Sequence, residues 1–228
     1  MYEKYLKRPL DFFLSLCALI VLSPVILVLT VVGAFAMKGN PFFTQLRPGK
    51  DEKIFRLIKF RTMTCEKDSD GNFLPDDIRL TKYGKFLRST SLDELPELFN
   101  ILKGDMAVVG PRPQLVRDMV FMTDTQRLRH TVRPGLSGLA QVNGRNAIKW
   151  EVKLSIDLEY IENITFWGDI KIIIETVIKV FKRENISEEG METAEDLGDY
   201  LLRNGQIKES EYNRLIDESN KIAFMVSK

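Results

Sequence analysis

The run FFLSLCALIVLSPVILVLTVVGAFAM, residues 12–37, carries no charged side chain and has Ser23-Pro24 at its middle. As a helix, a segment of this length extends roughly 39 Å at about 1.5 Å per residue, more than the ~30 Å hydrocarbon core of a bilayer. Pro24 offers no N–H to the carbonyl of Ile20, and its ring crowds that carbonyl, so a kink or break is expected there. The Ser23 hydroxyl is placed to satisfy backbone groups that lipid would leave unpaired. Lys4, Lys7 and Arg8 precede the run, and Lys38, Arg47 and Lys50 follow it. Positive charge marks the cytoplasmic side, and here both ends carry it. A segment that enters, bends at Ser23-Pro24 and returns to one face satisfies both flanks. An ordinary single span, in which proline is tolerated, accommodates the pattern as well. A cleaved secretory signal does not, because the apolar stretch is too long and holds a proline.

Outward from this anchor, residues 39–186 are long enough for one domain with a sizeable core, and residues 187–228 form an acidic C-terminal extension. The net charge of +1 conceals an asymmetry of −5 from Ser187 onward against +6 before it. A basic body beside a lipid anchor suits anionic headgroups or phosphorylated substrates. Nucleic acid is disfavoured, since no helix carries an uninterrupted basic stripe with interleaved aromatics. The two cysteines, Cys17 inside the apolar run and Cys65 outside it, are not expected to pair, which places the chain in a reducing, cytoplasmic setting. His130 is the single histidine, so a zinc site or histidine-based triad has almost no material.

Several elements are expected beyond the anchor. Asn40-Pro41 and Arg47-Pro48-Gly49 read as turns around the short run Phe42 to Leu46, followed by a mixed apolar and basic run from Ile54 to Met63. Residues 66–77 read as a loop. Ser91 to Lys103 is the clearest helix, with Leu92, Leu95, Leu98, Phe99 and Leu102 on one stripe and Gly104 closing it. Gln114 to His130 reads as helix, and the stretch from Arg133 to Arg145 as more loop than regular structure. Ile164 to Phe181 is an amphipathic helix whose Phe166, Trp167, Ile170, Ile173, Ile174, Val177, Ile178 and Phe181 share a face. That face suits either the membrane interface or the protein core. Two short acidic helices are expected around Asn204-Gly205.

The chemistry centres on Asp93-Glu94. Pro96 lacks an N–H and fits only a helix's first turn, so both carboxylates fall at the positive end of the dipole. Helix capping alone explains such a pair, because Asp93 makes an ordinary N-cap and Ser91 with Glu94 has capping-box spacing. The cations Lys59, Arg61, Arg88, Arg112, Arg133 and Arg145, all in or beside turns, raise the stakes. Carboxylates with several guanidiniums can hold Mg²⁺ and a diphosphate, and a carboxylate can attack phosphorus. No Walker loop or G-x-G-x-x-G occurs.

Lys59-Phe60-Arg61-Thr62-Met63, Ser91-Leu92-Asp93-Glu94-Leu95-Pro96, Lys103-Gly104-Asp105-Met106, Val109-Gly110-Pro111-Arg112-Pro113, Arg133-Pro134-Gly135-Leu136-Ser137-Gly138 and Gln141-Val142-Asn143-Gly144-Arg145 occur in that order. Together they resemble the monotopic phosphoglycosyl transferases, the bacterial sugar transferase family, over about residues 5–182. Asn143-Gly144-Arg145-Asn146-Ala147 and the compact length are most similar to small members that begin protein N-glycosylation or similar pathways with UDP-N,N'-diacetylbacillosamine. The resemblance implies an α/β fold, mostly helical with few short strands, on a proline-broken re-entrant membrane helix with interfacial amphipathic helices. It implies transfer of a sugar-1-phosphate from a UDP-sugar to undecaprenyl phosphate with release of UMP, at the cytoplasmic face of the bacterial inner membrane. In that scheme Asp93 is the nucleophile, and Glu94 binds Mg²⁺ with it or serves as a base. Arg88, Arg112 and Arg145 hold phosphates, while Lys7 and Arg8 with Ser23-Pro24 form the membrane anchor. Two competing readings stand beside it: a non-catalytic membrane adaptor whose acidic tail recruits a protein partner, and a phospholipid-modifying enzyme.

Overall fold

The computed structural model describes residues 1–144, 148–182 and 195–227. A π-helical lead, Tyr2–Leu6, runs into α1 (Lys7–Ala36), which contains the whole apolar run apart from its last residue. Helix α1 passes through Pro24 as a single element, so of the kink or break expected there the break does not occur. The Ser23 hydroxyl donates to the Ile20 carbonyl at 2.8 Å, so the acceptor that Pro24 deprives of an N–H is satisfied locally.

A hairpin follows. Strands β1 (Phe42–Pro48) and β2 (Ile54–Phe60) pair antiparallel from Phe42↔Phe60 to Pro48↔Ile54. Short helices α2 (Asp76–Arg79) and α3 (Lys82–Thr90) precede a 3₁₀ turn at Leu92–Glu94 and helix α4 (Glu97–Lys103). Gly104 ends α4 at φ +100, a conformation open to glycine at little cost. Strand β3 (Ala107–Val109) pairs parallel with β4 (Gly135–Ser137), so regular structure enters the glycine-rich stretch that reads as loop. Between them, the helix expected over Gln114 to His130 is instead α5 (Val116–Met119), α6 (Asp124–Arg127) and a 3₁₀ turn at Leu128–Thr131. Thr123 caps α6 with a capping box, which starts a new helix where the longer one would have continued.

Helices α7 (Leu139–Val142), α8 (Trp150–Glu162) and α9 (Phe166–Lys182) complete the body, and α10 (Leu197–Arg203) with α11 (Glu209–Ser227) form the extension. Of the two extension helices expected to be short, α11 is long. Both pack on the body: Tyr200, Leu201, Ile207, Tyr212, Leu215 and Ile216 cover Val120, Phe121, Met122, Trp150 and Leu154.

Contacts with the body run along most of α1. Asp11 accepts the Val108 N–H at 3.0 Å, Ala18, Leu19 and Leu22 pack on Phe55, Leu57, Leu98, Ile101 and Met106, and the Tyr83 hydroxyl donates to the Leu29 carbonyl at 2.8 Å. Phe13, Ile20, Val21, Leu27, Val28 and Phe35 face outward and exposed. Lys7 and Arg8 turn inward rather than towards headgroups. Lys7 ion-pairs with buried Asp169 of α9. Arg8 donates to the carbonyls of Ile101 (2.7 Å) and Leu102 (2.9 Å) in the last turn of α4, at the negative end of its dipole. The pair therefore locks α1 to the body. The amphipathic face of α9 divides: Asp169 and Ile172 are buried, while Trp167, Ile174, Val177 and Ile178 are exposed.

Candidate active site

Three neighbouring pieces of chain converge. Strand β2 ends at Lys59-Phe60, and buried Asn100 of α4 clasps its edge, accepting the Ile58 N–H (3.1 Å) and donating to the Arg56 carbonyl (2.8 Å). That clasp sets Lys59 against the chain entering α4. Ser91 turns that chain with φ 55, a left-handed conformation that costs a non-glycine residue about 1 kcal/mol or more. The capping box does not form, since the Ser91 side chain makes no cap hydrogen bond. Asp93 and Glu94 lie in the 3₁₀ turn ahead of α4 rather than in its first α-helical turn, because Pro96 occupies the N-cap position. The dyad is thus not consumed by capping.

Glu94 has other partners. Its Oε1 accepts from Lys59 Nζ at 2.9 Å and Arg112 Nη2 at 2.8 Å. Lys59 also reaches Glu97 Oε1 at 3.1 Å. Burial works to raise the Glu94 carboxyl, but Arg112 and Lys59 outweigh it and hold Glu94 well below the ordinary carboxylate range. Asp93 moves the other way: burial pushes it up, as does the neighbouring Glu94 charge, against Lys59, Arg112 and Arg88. Burial, aided by the Glu94 charge and opposed by Lys59 and the more distant Arg112, pushes Glu97 up to about 7.

That asymmetry gives a pH prediction. A carboxyl whose folded pKa exceeds its unfolded value binds the extra proton in the folded state, so its contribution to stability declines as pH rises from about 4.5 towards 7. Glu97→Gln removes this term. Its melting temperature relative to the unmodified protein should rise across that window, and a constant difference would refute the assignment.

Asp93 and Glu94 line a cavity of about 660 Å³ together with Lys59, Arg61, Arg88 and Arg112. That volume suits a ligand of nucleotide-sugar size. Arg88 Nε donates to the Thr62 hydroxyl at 3.2 Å, holding the guanidinium at the wall. Arg133 is not part of it: its Nε donates to the Gly104 carbonyl at 2.9 Å, and it borders a separate cavity of about 50 Å³ with Lys7, Arg8 and Asp11. The carbonyls at the end of α4 draw Arg133 as they draw Arg8. Arg145 lies outside the described residues.

The wall also contains Gln45, Arg47, Gln114, Asp118, Trp150 and Asp157, none of which a local pattern singles out. Behind it, Arg129 and Asp157 form a buried pair at 2.7 Å, and Arg129 also donates to the Arg112 carbonyl at 2.6 Å, fixing the loop that carries Arg112. His130 is buried; burial and the adjacent Arg129 push it down to about 4, so it stays neutral at physiological pH and is structural. Cys17 and Cys65 are unpaired and exposed.

Among the described residues no three His, Cys, Asp or Glu side chains cluster as a complete metal cage. Mg²⁺ does not require one, since one or two carboxylates and substrate phosphates suffice. Asp93 and Glu94 fit that donor set: they are hard oxygen ligands, adjacent in the cavity, and their mutual repulsion is part of what raises Asp93.

Residues 2–183 match the model of a family described as bacterial sugar transferase. The chain is 47% identical over 190 residues to the uncharacterised sugar transferase EpsL of Bacillus subtilis (strain 168), covering 83% of this chain and 94% of that protein. It is 44% identical over 185 residues to the UDP-glucose:undecaprenyl-phosphate glucose-1-phosphate transferase of Klebsiella pneumoniae, covering 77% of this chain and 40% of that protein. Identity is 37% over 182 residues to the UDP-N-acetylgalactosamine-undecaprenyl-phosphate N-acetylgalactosaminephosphotransferase of Aeromonas hydrophila, covering 76% of this chain and 43% of that one. The chain thus spans about two-fifths of the latter two proteins. A non-catalytic adaptor does not fit a match that runs through the whole body and its carboxylate-lined cavity. The chain belongs to the bacterial sugar transferase family and is a phosphoglycosyl transferase.

Proposed function

We propose that the protein transfers a sugar-1-phosphate from a UDP-sugar to undecaprenyl phosphate, releasing UMP, as the first membrane step of glycoconjugate assembly. The observation that carries this reading is the division of labour in the dyad. Glu94 is neutralised by Lys59 and Arg112, whereas Asp93 lines the cavity with its carboxyl raised. The relatives of Klebsiella and Aeromonas, named for transfer from UDP-sugars to undecaprenyl phosphate, support the substrate classes.

In this mechanism an Asp93 oxygen attacks the sugar-bearing phosphorus, the bond from that phosphorus to the bridging oxygen breaks, and UMP departs with that oxygen. Arg88 and Arg112 steady the phosphate oxygens as charge shifts towards the leaving group. An oxygen of undecaprenyl phosphate then attacks the same phosphorus, displacing the Asp93 carboxylate and completing the diphosphate. Two steps suit substrates that arrive from water and from lipid, because UMP can leave before the second enters. Glu94 is too weak a base at its lowered pKa to take a proton; its Oε1 orders Lys59 and Arg112. Asp93 and Glu94 would hold Mg²⁺, which would supply positive charge to offset the diphosphate. The donor sugar we assign is an N-acetylated deoxyhexosamine, on the likeness of Asn143–Ala147 to small family members.

The test is UMP release in detergent with undecaprenyl phosphate and Mg²⁺ over UDP-glucose, UDP-galactose, UDP-N-acetylgalactosamine and UDP-N,N'-diacetylbacillosamine. Release that depends on both lipid and Mg²⁺ is expected, greatest with the diacetylated donor. No release from any of them would remove the reading.

The membrane seat follows from α1. A helix that crossed the bilayer beneath a cytoplasmic body would leave that body after a few turns, yet contacts persist from Arg8 to Leu29. We therefore place α1 as a re-entrant element dipping into the cytoplasmic leaflet of the inner membrane. The exposed Trp167, Ile174 and Ile178 of α9 meet the interface beside it. Single cysteines at Tyr2 and at Asn40, in a background lacking Cys17 and Cys65, should both react with an impermeant maleimide from the cytoplasmic side only. Labelling from opposite sides would restore an ordinary span.

A further inference from the structure

Part of the cavity wall comes from residues beyond those that match the family. Glu195 and Asp196 line the cavity alongside Trp150 and Lys153 of α8, and the family match ends at residue 183. The segment is firmly attached. The Trp150 indole N–H donates to the Glu195 carbonyl at 3.1 Å, and buried Asp118 accepts the Leu197 N–H at 2.9 Å. Arg117 pairs with Asp196 at 3.0 Å and Asp199 at 2.7 Å. Gly198 lies so close to Phe121 that a Cβ would sit 2.5 Å from the ring. Glu195 spends both carboxylate oxygens on Arg203, at 2.9 and 2.7 Å. Asp196 pairs with Arg117 through Oδ2 and faces the cavity.

We propose that Asp196 reads the donor's sugar, accepting hydrogen bonds from its hydroxyl or amide N–H groups, so that the C-terminal extension is a specificity element of the active site. This rests on the UDP-sugar reading above. A carboxylate repels phosphate, so the diphosphate lies with Lys59, Arg88 and Arg112, and a neutral, donor-bearing part of the ligand lies against Asp196. Two parts are neutral, the nucleoside and the sugar. Uridine is common to the donors for which the Klebsiella and Aeromonas relatives are named, whereas the sugar differs. A wall outside the shared region is suited to the moiety that varies. A fixed acceptor also selects strongly, because a sugar without the matching hydroxyl or amide leaves the carboxylate unpaired. Sugars carrying their own carboxylate, the uronic acids, are excluded by the same charge.

The experiment compares Asp196→Asn with Asp199→Asn, which also loosens Arg117 but does not line the cavity. Donor KM is measured with the four UDP-sugars named above, and affinity for UDP, which lacks the sugar, by titration calorimetry. Asp196→Asn should raise donor KM roughly tenfold or more, the scale of one hydrogen bond to a charged group. Affinity for UDP and the KM for undecaprenyl phosphate should stay unchanged, and Asp199→Asn should keep the original donor KM. A parallel loss of UDP affinity would move the contact to the nucleoside, an equal effect of Asp199→Asn would reduce it to docking, and no effect would remove it. Each overturns the proposal. UMP release by the unmodified protein tests the donor reading separately, and the ratio of UDP-sugar to UDP affinity in Asp196→Asn tests the extension even if no turnover occurs.

Discussion

Asp93→Asn is expected to eliminate turnover, with a fall on the order of 10⁴-fold or more, the scale seen when an enzyme loses its nucleophile. The substitution preserves volume and removes the negative charge, so the cavity and the Lys59–Glu94–Arg112 cluster should survive. Folding is therefore not expected to suffer, and loss of one of two adjacent carboxylates relieves repulsion that burial makes costly. With a donor labelled on the sugar-bearing phosphorus, the unmodified protein should retain label after UMP leaves and release it on addition of undecaprenyl phosphate. The asparagine variant should retain none. Normal turnover by the variant, or label mapped to another side chain, would end the covalent scheme.

The largest effect on stability is expected at Asp157. Its carboxylate and the Arg129 guanidinium are both almost fully buried, bonded at 3.0 and 2.7 Å. Asp157→Ala leaves a buried guanidinium without its counter-ion, at a cost of about 3–5 kcal/mol. For a chain of this size that is a fall in melting temperature of roughly 10 °C. The double variant Asp157→Ala with Arg129→Met should recover most of the loss, because an apolar pair replaces the ion pair without stranding a charge. Activity should not recover with it: Arg129 also holds the Arg112 carbonyl at 2.6 Å, and the methionine cannot. Thermal unfolding in detergent, paired with UMP release, separates the two. A double variant as unstable as the single one would contradict this account.

How much of this was legible in advance depends on how local the physics is. The long apolar helix α1 could be read because twenty-six consecutive residues carry no charge, and helix α4 because a leucine stripe ends at a glycine. Asp93, Glu94, Lys59, Arg61, Arg88 and Arg112 could be gathered from motifs, and they do share one cavity. Arg133 could not be sorted from them. A guanidinium beside a turn looks the same whether it faces phosphate or, as here, the carbonyl that ends a helix. Lys7 and Arg8 misled for the same reason, since flanking charge beside an apolar run suggests lipid headgroups, while Asp169, Ile101 and Leu102 claim both side chains.

By itself the sequence determined the apolar segment, the periodic helices and the chemical types present at each motif, all properties that neighbours in the chain set. Only the tertiary structure decided which cation neutralises which carboxylate, that Glu94 rather than Asp93 is clamped, and that an acidic extension lines the cavity. Those outcomes depend on burial and on charges brought together from distant stretches of chain, where a few ångströms decide whether an ion is paired, solvated or free to react.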